Sequence, residues 1–78
     1  MSNKFPRVTC DELLRAIKKA GFIPKRQKGS HLTLKRETDN RRVTIPIHSG
    51  REVPIGTLRA ILRDADISSD EFRKLLKK

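Results

Sequence analysis

The chain's only two histidines, His31 and His48, are its residues best suited to acid–base chemistry, since imidazole exchanges a proton near neutral pH. His31 lies in "KGSHLTLKRE", residues 28 to 37, directly after Gly29-Ser30 and at the head of an alternating apolar pattern. A glycine in such a corner lets backbone N–H groups approach a phosphate, and Ser30 adds a hydroxyl donor beside the imidazole. The same pair also marks ordinary turns. Lys25, Lys28, Lys35 and Arg42 place cations around this segment, where a phosphodiester would be attracted and a positioned histidine could move its protons. Against this stands the plain reading of a strand histidine as a surface or hydrogen-bonded structural residue. The run from Lys25 to Lys28 is similarly open, as phosphate contact or as a solvated edge that blunts aggregation.

Metal chemistry fits less well. Two histidines and the single, distant Cys10 fall short of a usual zinc ligand set. Glu37 and Glu52 are the carboxylates nearest the histidines in sequence, and they lack the placement of a two-metal nuclease pair. The expectation is a site with no metal and no cofactor.

Nineteen lysines and arginines against nine acidic residues give a formal charge of +10, which favours a polyanionic partner: nucleic acid, an acidic protein or an anionic membrane surface. Seventy-eight residues suit one small domain covering 1–78, with too little chain for a second core. One cysteine permits no internal disulfide and calls for no oxidising compartment, so the expected location is the cytoplasm. The opening "MSNKFPRV" lacks the apolar run of a signal peptide, and no stretch approaches the ~20 apolar residues of a membrane span.

The elements that must hold the histidines follow from periodicity. Thr9 with Glu12 has capping-box spacing, and Leu13, Leu14, Ile17 and Ala20 form an apolar stripe ended by Gly21, predicting a helix from about Cys10 to Ala20. Leu58, Ile61, Leu62 and Ala65 predict a second helix from about Thr57, with Arg59 and Arg63 turned outward. Ser68 with Glu71 repeats the capping box, and Phe72, Leu75 and Leu76 give a third helix an apolar edge, with fraying expected at Lys77 and Lys78.

Between the first two helices the period is two. Leu32 and Leu34 alternate with His31, Thr33 and Lys35, and Val43, Ile45 and Ile47 alternate with Arg42, Thr44, Pro46 and His48. A third strand over Phe22 to Gln27 would be confined by Pro24 to an edge or a bulge. The fold class is therefore α+β, a helix, three antiparallel strands and two helices, with helices covering one sheet face. A two-residue turn at Asp39-Asn40 would set Thr38 opposite Arg41, Glu37 opposite Arg42, Lys35 opposite Thr44 and His31 opposite His48. Leu32 would then pair with Ile47 and Leu34 with Ile45 on the core side, making the histidines neighbours on an open basic face.

"KGSHLTLKRE" followed by "IPIHSGREVPIGTLRAILRDADIS" resembles the HicA family of toxin ribonucleases from toxin–antitoxin pairs, over nearly the whole chain. The anchors are Gly29-Ser30-His31 and His48, eight residues ahead of the Gly56-Thr57-Leu58 helix opening. The resemblance implies a fold similar to a double-stranded RNA-binding domain, endoribonuclease cleavage of mRNA that arrests translation, and neutralisation by a HicB-type antitoxin covering the active face. It further implies that the family's catalytic histidine corresponds to His31 and its second histidine to His48. Ile55 departs from the proline many members place before the glycine, and the third helix occurs in only some relatives.

Combined, these readings give His31 as general acid or base for attack by the RNA's own 2′-hydroxyl, with His48 as a second proton-transfer or phosphate-contact group. Lys25, Lys28, Gly29, Ser30, Lys35 and Arg42 would bind the RNA backbone. The rivals are a non-catalytic RNA-binding module of the same fold and a basic structural protein of a ribonucleoprotein particle. Three phenylalanines without tyrosine or tryptophan disfavour an aromatic base-stacking platform, and any binding should weaken steeply with salt. Arg59 and Arg63 suit a solvated helix face or the antitoxin interface. Cys10 is read as incidental.

Overall fold

The structure is a computed structural model that describes residues 5–77. The first four residues, which belong to the stretch read above for a signal peptide, and Lys78 at the expected fraying end lie outside those described.

Helix α1, Cys10–Lys19, begins as its cap predicts: the Thr9 hydroxyl accepts the Glu12 N–H at 3.2 Å, and the Thr9 N–H donates to Glu12 Oε1 at 2.8 Å. Ala20 is its cap, and Gly21 follows at φ 99°, a conformation that glycine adopts without the Cβ clash of other residues. Strands β1 (Ile23–Lys28), β2 (His31–Arg36) and β3 (Arg41–Pro46) form an antiparallel sheet in that order, followed by helices α2 (Ile55–Ala65) and α3 (Ser69–Leu76). The arrangement is the expected α+β one. Pro24 behaves as its missing N–H requires, since β1 is an edge strand with a bulge between Pro24 and Arg26. Helix α2 starts two residues before Thr57 because the Pro54 carbonyl already accepts the Leu58 N–H at 2.9 Å, which makes Ile55 the first helical residue. At α3 the Ser68 hydroxyl accepts the Glu71 N–H at 3.1 Å.

The sheet's inner face supplies Leu32, Leu34, Val43 and Ile45 to a core completed by Leu13, Ile17, Leu58, Leu62 and the fully buried Phe72. Leu14 and Ile47, expected in the core, are only half-buried at its margin. Helices α1 and α2 pack on β3, and α3 packs on α1, so the opposite sheet face is left uncovered. Among the described residues no helix is long and apolar enough to cross a membrane.

The β2–β3 register differs from the sequence-based expectation by two residues. His31 pairs with Pro46, Leu32 with Ile45, Leu34 with Val43, and Lys35 with Arg42, so His31 does not face His48 and Glu37 and Thr38 are not paired at all. A slip of two returns every side chain to its own face, so the apolar pattern cannot choose between the two registers. The turn chooses. Glu37 to Asn40 form a four-residue loop in which only Asn40 takes positive φ, 58°. Asp39 uses its carboxylate to accept two bonds from the Arg36 guanidinium, at 2.8 and 3.1 Å, and the Arg41 N–H at 3.3 Å.

Arg36 is thereby a tie point. It lies 4.5 Å over the Phe22 ring and donates to Ala20 O at 3.2 Å and Ala65 O at 2.9 Å, the C-terminal ends of α1 and α2. Carbonyls at helix ends lack intrahelical partners and carry negative partial charge, which a guanidinium satisfies well.

Candidate nucleic-acid interface

The uncovered sheet face is built from alternate residues of each strand. His31, Thr33 and Lys35 come from β2; Arg42, Thr44 and Pro46 from β3. Across β1, Lys28 faces His31 and Arg26 faces Thr33. Strict alternation would send Lys25 and Arg26 to opposite faces. The Pro24 bulge breaks the alternation, and both line the same open basin with Thr33, Lys35, Glu37 and Arg42, a space of about 580 Å³.

Three features of this basin bear on ligand chemistry. Lys35 and Arg42 stand directly opposite each other, an arrangement that repels in an isolated sheet, and among the described residues neither has an ion-pair partner. The one carboxylate in the lining, Glu37, is already bonded to Lys25 at 3.2 Å, and that hydrogen bond holds its carboxyl below the usual range. Thr33 and Thr44 share a hydroxyl hydrogen bond at 3.3 Å across the floor.

His31 is the first residue of β2 and is exposed at the end of the face remote from Glu37. Behind it, Gly29 takes φ 60° with open space around its α-carbon, the positive angle that the Gly29-Ser30 corner needs. Gln27 Nε2 donates to Gly29 O at 3.2 Å, and Ser30 O accepts the Ile47 N–H at 2.6 Å, carrying the strand pairing one residue past β3. His48 comes next, exposed, at the start of a turn closed by Arg51 N donating to His48 O at 2.9 Å. Helix α1 fastens that turn: Asp11 Oδ2 accepts from Ser49 Oγ at 3.3 Å and Gly50 N at 3.2 Å. The histidines thus occupy one end of the sheet, His48 two residues beyond the cross-strand partner of His31.

The expected cations divide into two groups. Lys28 lies beside His31, whereas Lys25, Lys35 and Arg42 line the basin, whose wall includes neither histidine. Arg26 joins the second group; the signal for it was Pro24, whose bulge doubles the basic lining of the edge strand. Phe22 and Phe72 are buried and Phe5 is half-buried near Arg59, so the face presents no aromatic platform. Cys10 is buried in the first turn of α1. Among the described residues, no three His, Cys, Asp or Glu side chains are grouped to hold a metal ion.

A family model described as the HicA toxin of bacterial toxin–antitoxin systems matches residues 10–67, from the start of α1 to just past α2. No curated protein matches the chain.

Proposed function

The chain belongs to the HicA toxin family of bacterial toxin–antitoxin systems, and on that premise we propose that it is a metal-independent endoribonuclease that cleaves mRNA and so arrests translation. The observation that carries the proposal is the exposed His31 at the head of a sheet face where Lys35 and Arg42 confront each other and the nearby Glu37 is bonded to Lys25 instead. A phosphodiester backbone supplies a counter-charge and sets a scissile phosphate within reach of an acid–base group.

In the proposed reaction His31 takes the proton of a ribose 2′-hydroxyl, the 2′-oxygen attacks the adjacent phosphorus, and the bond to the 5′-oxygen breaks. The leaving oxygen receives a proton, for which His48 is the assigned donor, and the products are a 2′,3′-cyclic phosphate and a free 5′-hydroxyl. Lys28 and the Gly29-Ser30 corner would hold the phosphate as negative charge develops, while Lys25, Lys35 and Arg42 bind the flanking backbone. DNA lacks the nucleophile. A toxin of this family has a cognate antitoxin; the partner proposed here is a HicB-type protein that covers the basic face.

The test is incubation of purified protein with matched RNA and DNA in EDTA, for wild type and His31→Ala, with analysis of product termini. Loss of one proton-transfer group lowers the rate by about 10²- to 10⁴-fold. Cyclic phosphate ends made from RNA by wild type alone are the expected result. Equal activity in His31→Ala overturns the assignment, and binding without cleavage by either protein favours a non-catalytic RNA-binding module.

A further inference from the structure

Glu37 is misplaced if the trough only binds phosphate. A carboxylate facing a phosphate track repels it, yet Glu37 lines the same basin as Lys25, Arg26, Lys35 and Arg42, with 57% of its side chain exposed. Its bond to Lys25 fixes the carboxylate position while leaving part of it open to solvent. Glu37 lies six positions after His31, roughly 20 Å along an extended strand. An RNA strand covers that distance in about six nucleotides at a stacked rise of ~3.4 Å, and in fewer when stretched.

We propose that Glu37 reads an unpaired guanine of the substrate, at a fixed offset of a few nucleotides from the phosphate at His31. The inference rests on the RNA reading of this face and adds to it a specificity-determining residue. The chemistry selects the base. A carboxylate offers two acceptor oxygens side by side and no donor. Guanine alone presents two adjacent donors, N1–H and the N2 amino group, on its Watson–Crick edge. Cytosine and adenine place an acceptor next to their amino group, and uracil flanks its N3–H with two carbonyls. Watson–Crick edges are available only in single-stranded RNA, so the substrate class is a single strand or loop long enough to span the trough. Lys25, already beside the carboxylate, contacts the phosphate of the same nucleotide.

The test uses 2′-O-methyl uridine oligonucleotides that span the trough and carry one central guanine or one inosine, which lacks the N2 amino group. Without a 2′-hydroxyl they report binding whether or not the protein cleaves RNA. With wild type, fluorescence anisotropy should show at least about tenfold weaker binding of the inosine oligonucleotide, the loss of one bond to a charged acceptor. In Glu37→Gln the amide pairs with N1–H and O6 without using N2, so that ratio should fall to near one even though overall affinity rises with the removed negative charge. The same ratio in both proteins, or none in wild type, overturns the proposal and leaves Glu37 as a group that orients Lys25. All-ribose versions incubated with wild type read the ribonuclease activity separately: cuts at a constant offset from guanine support the subsite, cuts unrelated to guanine refute it, and absence of cutting refutes catalysis while the binding ratio still decides the guanine subsite.

Discussion

Replacing Arg36 by methionine keeps an unbranched apolar stem and removes the guanidinium that lies over Phe22 and joins the ends of α1 and α2 to the β2–β3 loop. Hydrogen bonds from a charged donor are worth about 1.5–3 kcal/mol each. Because 16% of the side chain is exposed, the lower end applies to the bonds with Ala20 O and Ala65 O, giving about 3 kcal/mol for the pair. The ring contact adds about 0.5–1 kcal/mol, and partial rehydration of the freed carbonyls returns a similar amount. The Asp39 contact is solvent-screened and adds little. The net expectation is a loss of about 3 kcal/mol from a total of roughly 4–12 kcal/mol for a chain of this length. In urea, with a slope near 1 kcal/mol/M, the unfolding midpoint should fall by about 3 M at unchanged slope. A fall below about 0.5 M would refute the reasoning, because it would mean that water replaces all of these bonds without loss.

Two further outcomes follow from the same geometry. Phe72 is fully buried although α3 lies beyond residues 10–67, so Phe72→Ala should cost about 3–5 kcal/mol by thermal or urea unfolding; a cost under about 1 kcal/mol would make α3 a dispensable appendage. The Arg36 hydrogen bond, chiefly, holds the Asp39 carboxyl below its usual range, so the folded chain binds that proton less readily than the unfolded one. Its stabilising contribution is complete above the unfolded value of about 3.9 and disappears as pH falls below it through the lowered folded value. Asp39→Asn should therefore lose less stability than wild type between neutral pH and acid, as measured by unfolding midpoints at several pH values.

The candidate site was legible in its parts and not in its assembly. The positions of His31, Lys35 and Arg42 on the open face follow from alternation, because parity survives any even slip of the strands. That His31 faces Pro46 rather than His48 does not follow, since a slip of two leaves the apolar pattern unchanged. Pro24 announced a bulge or edge, but that the bulge turns Lys25 and Arg26 into one basin with Glu37 depends on where the extra residue falls in the ladder.

What the sequence by itself determined is the set of elements, their order and the face each residue occupies, because side-chain periods of 3.6 and 2 and a Thr9–Glu12 cap are local properties of the chain. Register, by contrast, was decided in tertiary structure. Arg36 is one of nineteen basic residues in the sequence, and only the convergence of two helix ends, an aromatic ring and Asp39 makes it the group that holds the loop. The turn that sets this register is gripped by Arg36, and Arg36 is itself held by a carbonyl twenty-nine positions away, a convergence that no periodic pattern encodes.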